Sequence, residues 1–389
     1  MGIAFAGLPA GVQARVGFRV GCIRFMEETI MKRIAFHNRE RETNEIMKIL
    51  DAEPSLITFV YGPINSGKTE LTNHVIKDLP ESYKVFYINL RGRFISNYDD
   101  FIKVLFDVEH ETRYKRIKEF LKPIVTVLPK SYNGIPIPKD MFLKLFKEKE
   151  IEDAFVYMET VLEAFYESGR TPVLIIDELQ VIGDLKVDDF LIYKLFNFFI
   201  RLTKEMHLAH VFAVTSDSLF IERVYSEAML NERCRYLLVD DFDRETTAGF
   251  LEGYGFTDDE AGVAWEYCGG KPVCLVELIN RKFEGGDVKE KCEDALKIRV
   301  SQIRDLLDLL GYVKPQVMLE EEKYDVEREH VVEIMKTLVD RDVVSFEGYR
   351  PEKQFMIKKN ILFLDPKDGV VRPQSRLNLL AIREVMKDA

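Results

Sequence analysis

A chain of 389 residues, 47% hydrophobic and 31% charged, has enough apolar material for two or three domains with separate cores. Its net charge of −11 argues against a protein that engages nucleic acid over its whole surface, although a single basic face remains compatible with it. No stretch approaches the ~18 uncharged apolar residues of a membrane span.

Five cysteines, Cys22, Cys234, Cys268, Cys274 and Cys292, form neither a C-x-x-C pair nor a zinc-finger spacing. They read as buried or incidental thiols of a reducing cytosol, so a cytoplasmic location is expected.

In chain order, Met1 to Phe25 carries Arg15, Arg19 and Arg24 without an acidic residue, but it lacks a convincing signal-peptide cleavage site. Regular patterning begins near Met31, which reads as an alternative start, and residues 1–30 are expected to pack poorly. From Phe36 onward, short apolar runs alternate with amphipathic segments, the pattern of a parallel sheet with helices on both faces. About five strands are expected, over Leu56–Tyr61, Lys84–Leu90, Pro172–Asp177, His210–Ser216 and Tyr236–Val239, with a buried helix over Asp188–Met206.

The stretch Thr112–Glu150 interrupts this rhythm with Lys115-Arg116-Ile117-Lys118 and with Pro123, Pro129, Pro136 and Pro138. It reads as an inserted lid or surface excursion. The chain then turns helical through Asp243–Phe283, breaks at Gly285-Gly286-Asp287, and continues as a long helix over Val288–Leu310. The last part reads as a helix over Glu329–Arg341, short strands over Val343–Phe346 and Gln354–Lys358, and a closing helix over Asn378–Met386. That order resembles a winged helix.

Between the first strand and its helix, Gly62-Pro63-Ile64-Asn65-Ser66-Gly67-Lys68-Thr69 fits G-x-x-x-x-G-K-S/T at every fixed position. The glycines let successive N–H groups turn toward a β-phosphate at the positive end of the following helix, which continues with Glu70. Lys68 brings charge to the β- and γ-phosphates, and the Thr69 hydroxyl is placed to ligate Mg²⁺. A Gly-rich helix cap would explain the glycines but not Lys68-Thr69. These residues are therefore the candidate ATP/ADP site, with Lys68 also in the catalytic set.

A second motif, Val173-Leu174-Ile175-Ile176-Asp177-Glu178, ends a buried strand in two acids at its carboxyl end, where doubly wound sheets bind ligands. Asp177 would hold Mg²⁺ and Glu178 would act as general base on the attacking water. The strand ending in Thr215-Ser216 supplies a polar candidate near the γ-phosphate, Ser216 or Thr215. Arg223, Arg233 and Arg235 follow as candidates for stabilising transition-state charge, with Arg233 preferred.

Together these residues resemble the archaeal ATPase family of the STAND class, within the AAA+-like P-loop ATPases. Phe36-His37-Asn38-Arg39-Glu40-Arg41-Glu42 is similar to the family's F-x-x-R-x-x-E segment beside the adenine, which brings in Arg39. Asp177-Glu178-Leu179-Gln180 is similar to its D-E-hydrophobic-Q run. Gly269-Gly270-Lys271-Pro272 resembles its Gly-x-Pro element, in which the proline, here Pro272, packs on the base. Ile361–Asp365 and Val371–Ser375 resemble the winged-helix end. Where such proteins often read Gly-Ser-Ser after the fourth strand, this chain has Thr215-Ser216-Asp217-Ser218, so the sensor residue stays open.

The resemblance implies an α/β P-loop NTPase with a helical subdomain over 242–286 and a linker helix plus winged-helix domain over 287–389. It also implies ATP hydrolysis as a nucleotide-dependent switch, with a protein partner or self-association as the output.

The alternative reading is a DNA-binding ATPase similar to archaeal replication initiators. Val288–Ala389 carries 19 Lys+Arg against 20 Asp+Glu, unlike a duplex-binding domain. Arg350–Arg376 nevertheless holds 7 basic and 3 acidic residues, and Arg350, Lys353, Lys358, Lys359, Arg372 and Arg376 would line a basic wing.

Overall fold

Ile57-Thr58-Phe59-Val60-Tyr61 is a run of β-branched and aromatic residues, and in the computed structural model all five are buried. That is the environment of an interior strand in a sheet covered on both faces. The structure describes residues 34–93, 95–109, 130–148, 151–182, 191–227, 230, 232–319 and 322–387. Phe36–Ala389 forms one unit, and the description concerns that unit. The N-terminal extension expected over residues 1–30, residues 112–129 and 149–150 of the expected insertion and residues 188–190 of the expected helix lie outside the described residues.

The first eight strands are β1 (Ile57–Tyr61), β2 (Tyr83–Asn89), β3 (Phe106–Glu109), β4 (Ser131–Tyr132), β5 (Ile135–Pro138), β6 (Thr171–Asp177), β7 (His210–Thr215) and β8 (Cys234–Leu238). Six form one sheet in the order β4-β2-β6-β7-β1-β8, and every neighbouring pair is parallel. Parallel neighbours need crossover connections, and the helices supply them on both faces. Alternate strand residues feed two cores. Phe59, Ile88 and Ile176 face one that includes helices Tyr98–Leu105, Ile151–Glu167 and Leu191–Ile200. Val60, Val85 and Ile175 face the other, beneath helices Glu40–Leu50 and Lys68–Asp78.

The sheet has six strands rather than about five because β4 comes from the stretch expected to be an excursion. Ile135 and Ile137 of β5 lie fully buried in the main core. Strand β5 pairs with β3 in a separate two-stranded sheet, Asp107 opposite Pro136 and Glu109 opposite Pro138. A two-stranded pair leaves one side of β5 unpaired, which is where proline without an N–H is tolerated.

The helical segment contains Arg244–Glu252, Asp258–Cys268 and Pro272–Phe283. Each start has a local cause. Asp243 accepts from the Thr246 N–H, Thr257 and Glu260 form a reciprocal capping box, and Pro272 occupies the first turn. The long helix Val288–Leu310 starts where expected, capped by Asp287.

The C-terminal part has its own core, in which Ile303 and Leu307 of the long helix meet Met335, Leu362, Val371 and Ile382. It comprises a hairpin of β9 (Gln316–Leu319) and β10 (Glu322–Asp325), which sequence patterning missed, then helix Arg328–Asp340 and β11 (Val344–Ser345). Helix Arg350–Lys358, β12 (Leu362–Asp365), β13 (Val370–Pro373) and helix Arg376–Val385 complete it. The strands β11, β13 and β12 form an antiparallel sheet with β13 central.

The strand expected over Gln354–Lys358 is helix instead. Pro351 stands in its first turn, and Phe355, Met356 and Ile357 are buried by tertiary packing that a five-residue window cannot reveal. Among the described residues no helix is long and apolar enough to cross a membrane.

Candidate functional site

The loop between β1 and the helix Lys68–Asp78 depends on two glycines. A Cβ at Gly62 would stand 2.1 Å from the Val239 carbonyl oxygen, and Gly67 takes a left-handed φ of +95° at the helix N-cap. The Ser66 N–H donates to the Pro63 carbonyl at 3.2 Å and closes the turn. Helix N–H groups and the positive end of the dipole thus face the loop, the arrangement that holds phosphate.

Lys68 is buried, and its ammonium donates to the carbonyls of Gly62 at 3.1 Å and Pro63 at 2.8 Å. Burial, followed by the nearby Lys271 charge, draws its pKa down to about 8. Thr69 follows on the helix, and its hydroxyl donates 2.9 Å to Asp177 Oδ2, across 108 residues of sequence. The same oxygen accepts from the Tyr87 hydroxyl at 2.8 Å. The Asp177 carboxyl is nearly solvent-free, and burial pushes its pKa up while the Tyr87 and Thr69 donors oppose that rise.

Magnesium accepts hard oxygen ligands, few of them from protein. A buried carboxylate sharing a hydroxyl at the sheet's carboxyl edge fits that requirement, and Asp177 and Thr69 are the residues that could hold the ion.

Glu178 leaves the strand in a left-handed turn, with φ +61°. One carboxylate oxygen is ion-paired with Arg91, just beyond β2, and the other accepts from Gln180 Nε2. Gln180 in turn accepts from the Thr215 hydroxyl at 2.6 Å and reaches Ser216 Oγ at 3.5 Å. Both sensor candidates therefore join one network around Glu178. The strand order explains this, because β7 lies between β1 and β6 and ends beside both motifs.

Arg39 donates to the Ser66 carbonyl at 2.7 Å, pairs with Glu42 at 2.7 Å and lies 4.6 Å from the Phe242 ring centroid. Phe36 stacks on His74 of the loop's helix at 4.0 Å. Lys271 reaches in from the helical segment, donating to the Ile64 carbonyl at 3.1 Å while ion-paired with Asp241 at 2.8 Å. Pro272 begins the next helix, half-buried beside it, and Glu70 is exposed in the first turn after the loop, with Asn65 and Ile64 at the loop's crest.

Three expectations are corrected. Arg233 does not meet the other residues: its carbonyl accepts from the Ile57 N–H, so it stands at the amino end of β1, opposite the edge that carries Gly62 and Asp177. About five residues of strand, roughly 15 Å, separate it from the loop. Arg235, which donates to Ser55, lies at that same far end. The side chains expected to line a basic wing are mostly engaged within the chain, although Arg350 and Arg376 stay exposed. Arg350 pairs with Glu222, Arg372 donates to both oxygens of Asp240 at 2.6 and 2.7 Å, Lys353 donates to the carbonyls of Glu347 and Gly348, and Arg376 donates to the Glu266 carbonyl. Lys358 and Lys359 remain exposed.

Residue-type reasoning gave no role to Arg91, Gln180, Tyr87 or Lys271. For Gln180 and Lys271 the signal was present, since both lie inside the quoted motifs. Arg91 and Tyr87 carry none, because only the pairing of β2 with β6, Asn89 opposite Asp177, brings them to the acids.

Known proteins similar to this chain cover both its ATPase part and its C-terminal part. Residues 36–278 match the family described as an ATPase domain predominantly from Archaea, and residues 289–386 match the C-terminal domain of uncharacterized ATP-binding proteins of the MJ1010-like kind. An uncharacterized ATP-binding protein of Methanocaldococcus jannaschii is 46% identical over 362 residues, covering 91% of this chain and 98% of the relative. Another, from Pyrococcus abyssi, is 49% identical over 351 residues, covering 90% and 98%. Among solved structures, a Walker-type ATPase of Pyrococcus abyssi is similar in fold, with a TM-score of 0.59 at 16% identity over 90% of this chain and 96% of that one.

Proposed function

The chain belongs to the family of ATPase domains found predominantly in Archaea, and from that premise we propose that it hydrolyses ATP with Mg²⁺ as a STAND-type switch whose C-terminal domain responds to the nucleotide. The observation that carries this reading is the 2.9 Å contact between Thr69 and Asp177, which joins the two motifs at one sheet edge with Glu178 next in line.

Bound Mg²⁺ would neutralise charge on the β- and γ-phosphates. The loop N–H groups and Lys68 orient the phosphates. Glu178 accepts the proton of the attacking water, and Gln180 with Thr215 or Ser216 fixes the direction of its carboxylate. Arg39 and Lys271 grip the loop from two sides, Lys271 from the helical subdomain, so closure of that subdomain is coupled to the loop. We read the C-terminal part as a winged-helix domain because its β11-β13-β12 sheet follows a helix and packs on another. Its contacts run back to the ATPase core, Arg372 to Asp240 and Phe363 against Tyr61, which favours an intramolecular or protein-directed output over duplex binding.

The test compares phosphate release and Mg²⁺-ATP-dependent thermal shift for the native chain and for Glu178→Gln. At a hundred times its Kd, a ligand adds about 2.7 kcal/mol to stability. A shift in both proteins, with phosphate released only by the native chain, is expected. Equal turnover in Glu178→Gln would remove Glu178 from the role of base, and no shift in either would defeat nucleotide binding.

A further inference from the structure

The hairpin of β9 and β10 is a sheet of two strands, and among the described residues β9 is the one strand that pairs with β10. Two strands alone are marginally stable in water, so this pair depends on what lies around it. Val317 of β9 is buried in the C-terminal core, but Glu322, Lys323, Tyr324 and Asp325 of β10 are all exposed. Met318, which stands opposite Lys323 in the hairpin, is 48% exposed, and Tyr324 is 41% exposed.

The ladder fixes which backbone groups of β10 point outward. The Val326 N–H donates to the Pro315 carbonyl at 2.8 Å, so that pair is hydrogen-bonded, and in an antiparallel ladder bonded and non-bonded pairs alternate. Glu322, Tyr324 and Val326 therefore turn their N–H and C=O groups toward β9. Lys323 and Asp325 turn theirs to the free edge, where no strand meets them among the described residues. The Asp325 carboxylate accepts from Gln316 Nε2 through Oδ1 at 2.8 Å, which leaves its other oxygen for a second donor.

We propose that this edge pairs antiparallel with β10 of a second copy of the chain, about a twofold axis that passes through Tyr324. Across such an edge, residues whose backbone points outward meet only residues that also point outward, so the allowed registers advance by whole pleats. Of the registers centred on β10, Lys323 opposite the partner's Lys323 and Asp325 opposite the partner's Asp325 set like charges face to face, which is destabilising. Lys323 opposite the partner's Asp325 sets opposite charges together, and the twofold repeats the contact. In that register each Lys323–Asp325 pair exchanges both of its N–H···O=C bonds. The two Tyr324 side chains then take the non-hydrogen-bonded position, where cross-strand approach is closest. Charges on an exposed edge ordinarily guard it against pairing. Here they bar the neighbouring registers and admit one, so they select a partner. The interface is small, and the dimer is accordingly a weak one that forms as concentration rises. It does not rest on the nucleotide reading.

The experiment is sedimentation equilibrium of the full chain over a range of concentrations, with circular dichroism to show that each variant is folded. The native chain should show a monomer–dimer equilibrium that salt weakens. Lys323→Asp and Asp325→Lys each set like charges opposite one another and should weaken the dimer about tenfold or more. Both side chains are exposed, so neither change disturbs the core. Lys323→Asp combined with Asp325→Lys in one chain restores opposite charges and should return the native equilibrium. Mixing the two single variants should give a heterodimer tighter than either homodimer, because one edge is then acidic and the other basic. A native chain that stays monomeric at every concentration would overturn the proposal. So would a dimer that neither single variant weakens, or a weakened dimer that neither mixing nor the double exchange restores, since assembly would then run through another surface.

Discussion

The hydroxyl of Tyr61, the last residue before the phosphate loop, donates 2.9 Å to the carboxylate of Asp365 in the C-terminal hairpin, across 304 residues of chain. Both side chains are buried, and the Phe363 ring stacks on Tyr61 at 6.4 Å between centroids. A strand that ends in the nucleotide loop therefore ends against the C-terminal domain as well.

Tyr61→Phe keeps the ring and removes this donor, leaving a buried carboxylate short of one partner. Hydrogen bonds to charged groups contribute about 1.5–3 kcal/mol, and the melting temperature should fall correspondingly. Calorimetry checks this. A variant as stable as the native chain would mean that the contact is not made in solution.

Arg91 occupies one oxygen of Glu178, although its own side chain is 62% exposed. Exposed pairs of this kind contribute about 0.2–1 kcal/mol. Arg91→Ala should free the carboxylate and raise basal phosphate release by about two- to fivefold, with little change in ATP affinity. A fall in turnover would mean that Arg91 assists the reaction rather than restraining Glu178.

The lowered pKa of Lys68, about 8, sets a pH dependence. Its folded value lies below the unfolded one, so the protonated buried amine costs stability below about pH 8, and that cost is relieved as pH rises toward the unfolded value near 10.5. Phosphate affinity runs the other way. It should hold steady up to about pH 8 and then weaken as the free protein loses the ammonium charge. Titration of ATP binding between pH 7 and 10 reads this directly, and an affinity that is flat to pH 10 would contradict a titrating Lys68.

Lys271 is almost fully buried between Asp241 and the Ile64 carbonyl. Removing one member of a buried pair typically costs about 3–5 kcal/mol, because the remaining charge is stranded. Lys271→Ala should lower both stability and ATP affinity, whereas Lys271→Ala combined with Asp241→Asn should recover part of the stability but not the affinity. Denaturant unfolding and ATP titration on the same samples separate the two effects.

Because four of the six candidate wing residues, Arg350, Lys353, Arg372 and Arg376, are ion-paired or hydrogen-bonded within the chain, the C-terminal domain should show no salt-dependent binding to duplex DNA. Retardation at low salt that is lost in Lys358→Ala/Lys359→Ala would reverse this expectation, because those two side chains are exposed.

Sequence alone determined the elements whose chemistry is local. The glycines of the phosphate loop, the apolar strand closing on Asp177-Glu178, the caps of the helical segment and the start of the long helix depend on neighbours within a few residues, and periodicity and turn chemistry read such neighbours. Strand order, domain docking and side-chain partnership depend on residues far apart in the chain. That is why Arg233 lay at the wrong end of the sheet, why Arg91 and Tyr87 carried no signal, and why side chains expected to line a basic wing pair instead with Asp240, Glu222 and the Glu266 carbonyl. The run Gln354–Lys358 became a helix because its buried face is set by a core built from the long helix and the hairpin strands. A run of amino acids specifies what it can form by itself; which charges meet was decided only when parallel strands took their order and the C-terminal hairpin closed on Tyr61.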